Sequence, residues 1–170
     1  FVAFIVLALA LAVVESRPIE PRFRDIVIDG EPALEKSAWL SQVSAFKSHH
    51  ATLGQVLQRS LHDLDALRMV STSDPKRMFM AAGAPWFMTL FGRDSLITAW
   101  MALIVDPDLA LGVLQTLARF QGTDVDPRSE EEPGRILHEM RFGDAASLSL
   151  GGGRVYYGSV DSTPLFVMLL

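Results

Sequence analysis

The chain has 170 residues, 49% of them hydrophobic and 21% charged, with a net charge of −5. That balance supplies a core for one ordinary domain and excludes a disordered or collagen-like chain, and the acidic sign leaves no basic footprint for nucleic acid. Cysteine is absent and His49, His50, His62 and His138 fit no HExxH pattern, so disulfides, thiol catalysis and cysteine-ligated metals are excluded; no metal and no cofactor is expected.

In chain order, residues 1–38 read as an apolar N-terminal segment followed by a proline-rich linker. Phe1–Val14 is uninterrupted apolar sequence, shorter than the roughly 20 residues a membrane-spanning helix needs. Four readings stay open for it: a buried strand or helix of a preceding domain, an artefact of where the reading frame opens, a signal or anchor remnant, or the tail of a longer span. A membrane is expected to matter only if that segment is a genuine anchor. Otherwise a cytoplasmic location is expected, with export or membrane association as the alternative. The chain starts without methionine and ends inside the apolar run Pro164–Leu170, which reads as a fragment cut at both ends. Pro18, Pro21 and Pro32 punctuate the linker.

Residues 39–170 form the second unit. Leu53, Val56, Leu57, Leu61, Leu64 and Leu67 fall at i, i+3, i+4, i+7 spacing, which predicts a helix with one buried face running to about Met69. The turn Ser71–Pro75 ends it. Met78–Phe91 is apolar without helical period and is broken by Gly83 and Pro85, as suits an extended, buried loop. Gly92–Ser95 opens a helix over Leu96–Val105 that is apolar nearly all round, so it is expected to be buried on most faces with Trp100 in the core. Asp106-Pro107-Asp108 supplies a cap, a proline at the first helical position and an acid in the first turn. The helix it opens runs to about Gln121, with Gly122 as the stop, and it reverses over its predecessor as a helical hairpin. Thr123–Gly153 reads as a long polar loop, and Thr163-Pro164 starts a further apolar helix.

A loop with a few polar residues thus feeds a very apolar helix twice, at Pro85–Asp94 and at Tyr156–Pro164. Loops at the N-terminal ends of buried helices are where backbone N–H groups and polar side chains converge on a ligand. Arg93 and Asp94 are the sharpest candidates. An arginine fork and a carboxylate can bracket vicinal hydroxyls of a sugar while an aromatic face such as Trp86 covers its C–H surface; equally, Asp94 can be a plain helix cap. Glu130, Glu131 and Glu132 read by composition as a solvated charge run; alternatively, with Arg128 and Arg135 flanking them and Pro133-Gly134 fixing the next turn, a carboxylate can be held toward a cleft. His138 and Glu139 suit a surface or supporting role better than a ligand role. Asp161 suits either a cap or a sugar-contacting position beside Tyr156-Tyr157.

Three stretches carry a resemblance: Ala82-Gly-Ala-Pro-Trp-Phe-Met-Thr-Leu-Phe-Gly-Arg-Asp-Ser-Leu-Ile-Thr-Ala-Trp100, Asp126-Pro-Arg-Ser-Glu-Glu-Glu-Pro-Gly-Arg-Ile-Leu-His-Glu139 and Tyr156-Tyr-Gly-Ser-Val-Asp-Ser-Thr-Pro-Leu-Phe166. In this order they resemble the bacterial amylo-alpha-1,6-glucosidase family of glycogen-debranching-type proteins. Arg59–Arg68 is similar to that family's segment just upstream, so the resemblance covers about residues 53–170. It implies an all-α fold class: an incomplete α/α toroid of the six-hairpin glycosidase type, with about the first two helical hairpins present in residues 39–170. It also implies a glycoside hydrolase acting on α-glucans, with a carbohydrate as partner and no nucleic acid. Carried over, the substrate-binding residues are Trp86, Arg93, Asp94, Arg135 and Asp161. Inverting glycosidases need two carboxylates roughly 6.5–9.5 Å apart, and in the relatives both lie downstream of the Asp161 loop. The catalytic residues are therefore left unassigned, and the piece by itself is expected to be inactive. A non-catalytic remnant and a membrane-associated helical protein are the alternatives.

Overall fold

The computed structural model describes residues 31–32, 36–44, 46, 48–71, 74–141 and 154–170. The apolar segment 1–14, most of the linker and the glycine-rich tract 147–153 lie outside the described residues. The elements are β1 (Glu31–Pro32), α1 (Lys36–Gln42), α2 (Ala51–Leu67), β2 (Arg68–Ser71), β3 (Asp74–Gly83), β4 (Phe87–Leu90), α3 (Gly92–Met101), α4 (Pro107–Arg119), β5 (Glu139–Met140), β6 (Val155–Tyr156) and α5 (Ser162–Leu169). A single 3₁₀ turn, Ala102–Ile104, joins α3 to α4.

The architecture is mixed α/β, which corrects the all-α toroid fragment. β1 to β4 form one antiparallel sheet in sequence order, and β5 and β6 form a second small sheet. The physical reason lies in the stretch expected to be a buried loop. Where it is buried, at Phe79–Ala81 and Leu90, its backbone N–H and C=O groups need partners, and the stretch supplies them as a hairpin: Ala81 pairs with Leu90 and Gly83 with Phe87. Phe79, Met80 and Ala81 are buried in succession, so the strand is covered on both faces and alternation is lost. The same demand shortens α2. The helix stops at Leu67, and Arg68 turns to extended geometry so that Met69 pairs with Phe79 and Val70 with Met78.

The helical hairpin is present as expected. Asp106 caps α4, its Oδ1 accepting from the Asp108 N–H at 3.0 Å with Pro107 following the cap. Leu109, Val113 and Leu117 of α4 are fully buried with Leu96 and Ala99 of α3 in the core. Gly112 lets β3 approach: a Cβ there would stand 2.2 Å from the Met78 carbonyl oxygen. α3 is not buried on most faces, however. Ile97, Trp100, Met101 and Ile104 are exposed, Met101 to 75%, so Trp100 is not a core residue. Leu53 and Val56 of α2 are exposed as well, and the predicted apolar stripe is covered only toward its C-terminal end.

One charge pair lies inside the protein. Arg68 donates from Nε and Nη2 to Asp65 Oδ1 at 3.0 and 2.7 Å, and both side chains are at least 96% buried. The guanidinium also stacks over Trp39, 4.6 Å from its ring centroid, and the Trp39 indole donates to Asp106 Oδ2 at 2.6 Å. This network ties α1 and α2 to the cap of α4.

Candidate functional site

The segment 134–138 connects the two helix starts that the sequence singles out. Gly92 N–H, at the first position of α3, donates to the His138 carbonyl at 2.9 Å, and His138 N–H donates to the Tyr156 carbonyl at 2.7 Å. Ile136 N–H donates to Thr163 Oγ1 at 3.0 Å, which docks the start of α5 on the same segment. Gly92 makes the close approach feasible, since a Cβ there would lie 2.0 Å from the Leu137 carbonyl oxygen and 2.7 Å from Ser162 Oγ. Leu137 and Ile136 are fully buried beneath it. The two loops expected to gather at helix N-termini are therefore adjacent.

Between them lies an open cleft of about 380 Å³ whose lining includes Arg93, Glu130, Arg135, His138, Ser159 and Asp161. Arg93 Nη1 and Asp161 Oδ2 meet across it at 3.2 Å, 68 residues apart in sequence. Asp161 stands at the cap position of α5 but makes no capping bond with its side chain. Its carboxylate instead accepts from the Ser159 hydroxyl, while Ser159 Oγ lies 3.0 Å from Ser162 Oγ. The hydroxyl donation from Ser159, with Arg93 beside it, holds the Asp161 carboxyl below the ordinary carboxylate range. The pair is 48% and 35% exposed, and an ion pair so wetted contributes at most about 1 kcal/mol. Its effect on the cleft outweighs its effect on the fold.

The glutamate run divides into three roles. Glu131 turns into its own loop, where Oε1 accepts from Thr123 N–H at 2.9 Å and Asp124 N–H at 3.2 Å. Glu132 faces Arg135 at 3.5 Å. Glu130 reaches the cleft, where Oε1 accepts from the Tyr156 hydroxyl at 2.9 Å; that bond to a carboxylate pushes the phenol's pKa up. Arg135 Nη1 donates to the Glu130 carbonyl at 2.6 Å. The His138 ring stands edge-on between Phe91 and Tyr156, with centroids 6.1 and 6.0 Å away. Its Nδ1 is buried without a hydrogen-bond partner among the described residues, an arrangement that costs about 1–3 kcal/mol when nothing else satisfies it.

Of the residues singled out in the sequence, Arg93, Arg135 and Asp161 come together at the cleft, and Asp94 and Trp86 are not in its lining. Asp94 is also not the cap of α3. The cap position belongs to Phe91, which places Asp94 at the third helical residue. Trp86 stands on the turn between β3 and β4, 86% exposed. Glu130, His138 and Ser159 also line the cleft, although none of them carries a substrate-binding expectation from the sequence. Their signal was the flanking arginines and the Asp126-Pro127 turn, which do not tell which of three adjacent glutamates turns inward. Among the described residues no three carboxylate, imidazole or thiol groups converge as metal ligands, and no helix is long and apolar enough to cross a membrane. No protein-family profile matches the chain, and no curated protein matches it.

Proposed function

We propose that this chain is part of an α-glucan-acting glycoside hydrolase resembling the amylo-alpha-1,6-glucosidases, and that its cleft holds a terminal sugar. The observation that carries the reading is the Arg93–Asp161 pair at 3.2 Å across the cleft. A planar donor fork beside an ionised acceptor matches the alternating donor and acceptor demands of vicinal hydroxyls. Arg93 and Arg135 are each accompanied by a carboxylate, Asp161 for the first and Glu132 for the second. The cleft therefore carries little net charge, as befits a neutral polyhydroxylated ligand better than a phosphate.

The role proposed for this part of the enzyme is binding. A carboxyl held below its ordinary range is a poor proton donor at neutral pH, so Asp161 is not assigned as the general acid. The test is isothermal titration of the 170-residue chain with maltotetraose. Saturable binding that falls at least about tenfold in Arg93→Ala is expected, from the loss of a charge-assisted hydrogen bond. Equal affinity in the two proteins defeats the assignment.

A further inference from the structure

The backbone at Glu130 is unusual. Residues 127–130 form a four-residue turn closed by the reciprocal bonds between Asp126 and Glu131, at 3.1 and 3.0 Å. Its last residue, Glu130, has φ 55°, the left-handed region that glycine or asparagine ordinarily occupies. Four residues on, the chain takes a left-handed φ of 89° again and there uses glycine, Gly134. A strained non-glycine backbone that neighbours hold in place is a pointer to function.

Glu130 is held from two sides. Arg135 fixes its carbonyl and the Tyr156 hydroxyl fixes Oε1, leaving Oε2 without a partner among the described residues. Tyr156 is itself located. Its ring packs edge-on against His138 and lies over Gly158, where a Cβ would stand 2.2 Å from the tyrosine hydroxyl oxygen. Glu131 and Glu132 are engaged elsewhere, so one carboxylate of the run is left for the cleft.

We infer that Glu130 is a ligand-binding residue of this cleft, its carboxylate accepting a hydroxyl of the bound sugar, with Tyr156 and Arg135 as the positioning residues that aim it. The inference rests on the saccharide reading above and adds to it a second acceptor, opposite in chain order to Asp161.

The test is titration with maltotetraose together with thermal melting, on the full chain and on Glu130→Gly, Glu130→Gln, Tyr156→Phe and the double variant Glu130→Gly/Tyr156→Phe. Glu130→Gly suits the left-handed turn, so its melting temperature is expected to stay level or rise by about 2–4 °C, while affinity falls about tenfold to a hundredfold. Glu130→Gln, which keeps the shape and removes the charge, loses less. Tyr156→Phe weakens binding in the unsubstituted background and has no further effect once Glu130 is glycine, since it acts through that carboxylate. If the unsubstituted chain binds while Glu130→Gly binds within about twofold of it, or melts lower, Glu130 has no such role and the saccharide reading stands without it. If the unsubstituted chain binds no maltotetraose, the saccharide reading and this role are both overturned.

Discussion

Replacing Gly92 by alanine places one methyl group where the two loops of the cleft meet. Its Cβ would lie 2.0 Å from the Leu137 carbonyl oxygen and 2.7 Å from Ser162 Oγ. The hydroxyl can rotate away. The carbonyl belongs to a segment pinned by two backbone bonds, from Gly92 to His138 and from His138 to Tyr156, and by the bond from Ile136 N–H to the Thr163 hydroxyl, so the whole start of α3 must retreat. Overpacking of this kind costs about 1–3 kcal/mol, and weakening the 2.9 Å bond from Gly92 N–H removes about 1 kcal/mol more. Against this, alanine in a helix gains about 0.5–1 kcal/mol over glycine. The net expectation is a loss of about 1–3.5 kcal/mol. Gly54 in α2 is the internal control, because a Cβ there meets nothing within 4 Å and only the helical gain remains, about 0.5–1 kcal/mol. Urea unfolding followed by far-ultraviolet circular dichroism reads both variants. Gly92→Ala unfolding at or above the midpoint of the unsubstituted chain refutes the close-approach argument.

Arg68→Ala leaves Asp65 buried without its partner and is expected to destabilise by about 3–5 kcal/mol; a midpoint shift below about 1 kcal/mol in the same urea assay contradicts the buried pair. Asp161 is expected to stabilise the fold above its unfolded pKa of 3.8, because its folded pKa is lower, and to lose that contribution as pH falls through the folded value. The gap in urea midpoint between the unsubstituted chain and Asp161→Asn should accordingly be constant near neutrality and close below pH 3.8; a gap that widens on acidification contradicts the assignment. Trp86→Ala, on an exposed turn, should change stability by less than about 0.5 kcal/mol, and a larger loss in thermal melting shows that the indole packs against something.

Helices α2 and α4 are legible in the sequence because their signals are local. Asp106-Pro107 marks a helix start whatever surrounds it, and the apolar recurrence through Leu64 and Leu67 marks a helix face. The sheet is not, because Met78–Gly83 is apolar on both faces and so lacks the two-residue alternation that announces a strand. Trp100 departs from the core position expected for it for a related reason. An apolar helix implies cover, but periodicity does not say which side receives it, and the side holding Trp100 and Met101 is bare. At the cleft, Arg93 and Asp161 stood out through the motifs around them. That they touch each other, and that Asp161 turns to Ser159 instead of capping α5, depends on Ile136–His138 bridging the two helix starts. Glu130 was hidden by its neighbours, since only the turn geometry separates it from Glu131.

The most direct measurement of the central claim is a titration of the isotope-labelled chain with maltotetraose, followed by the shifts of its backbone amide and histidine ring signals. Shifts confined to residues 92–94, 128–138 and 156–163, with the His138 ring among the most affected, are predicted. Shifts centred on the Trp86 turn or on the exposed face of α3, or no shift at millimolar sugar, contradict the cleft as the place where a saccharide is held.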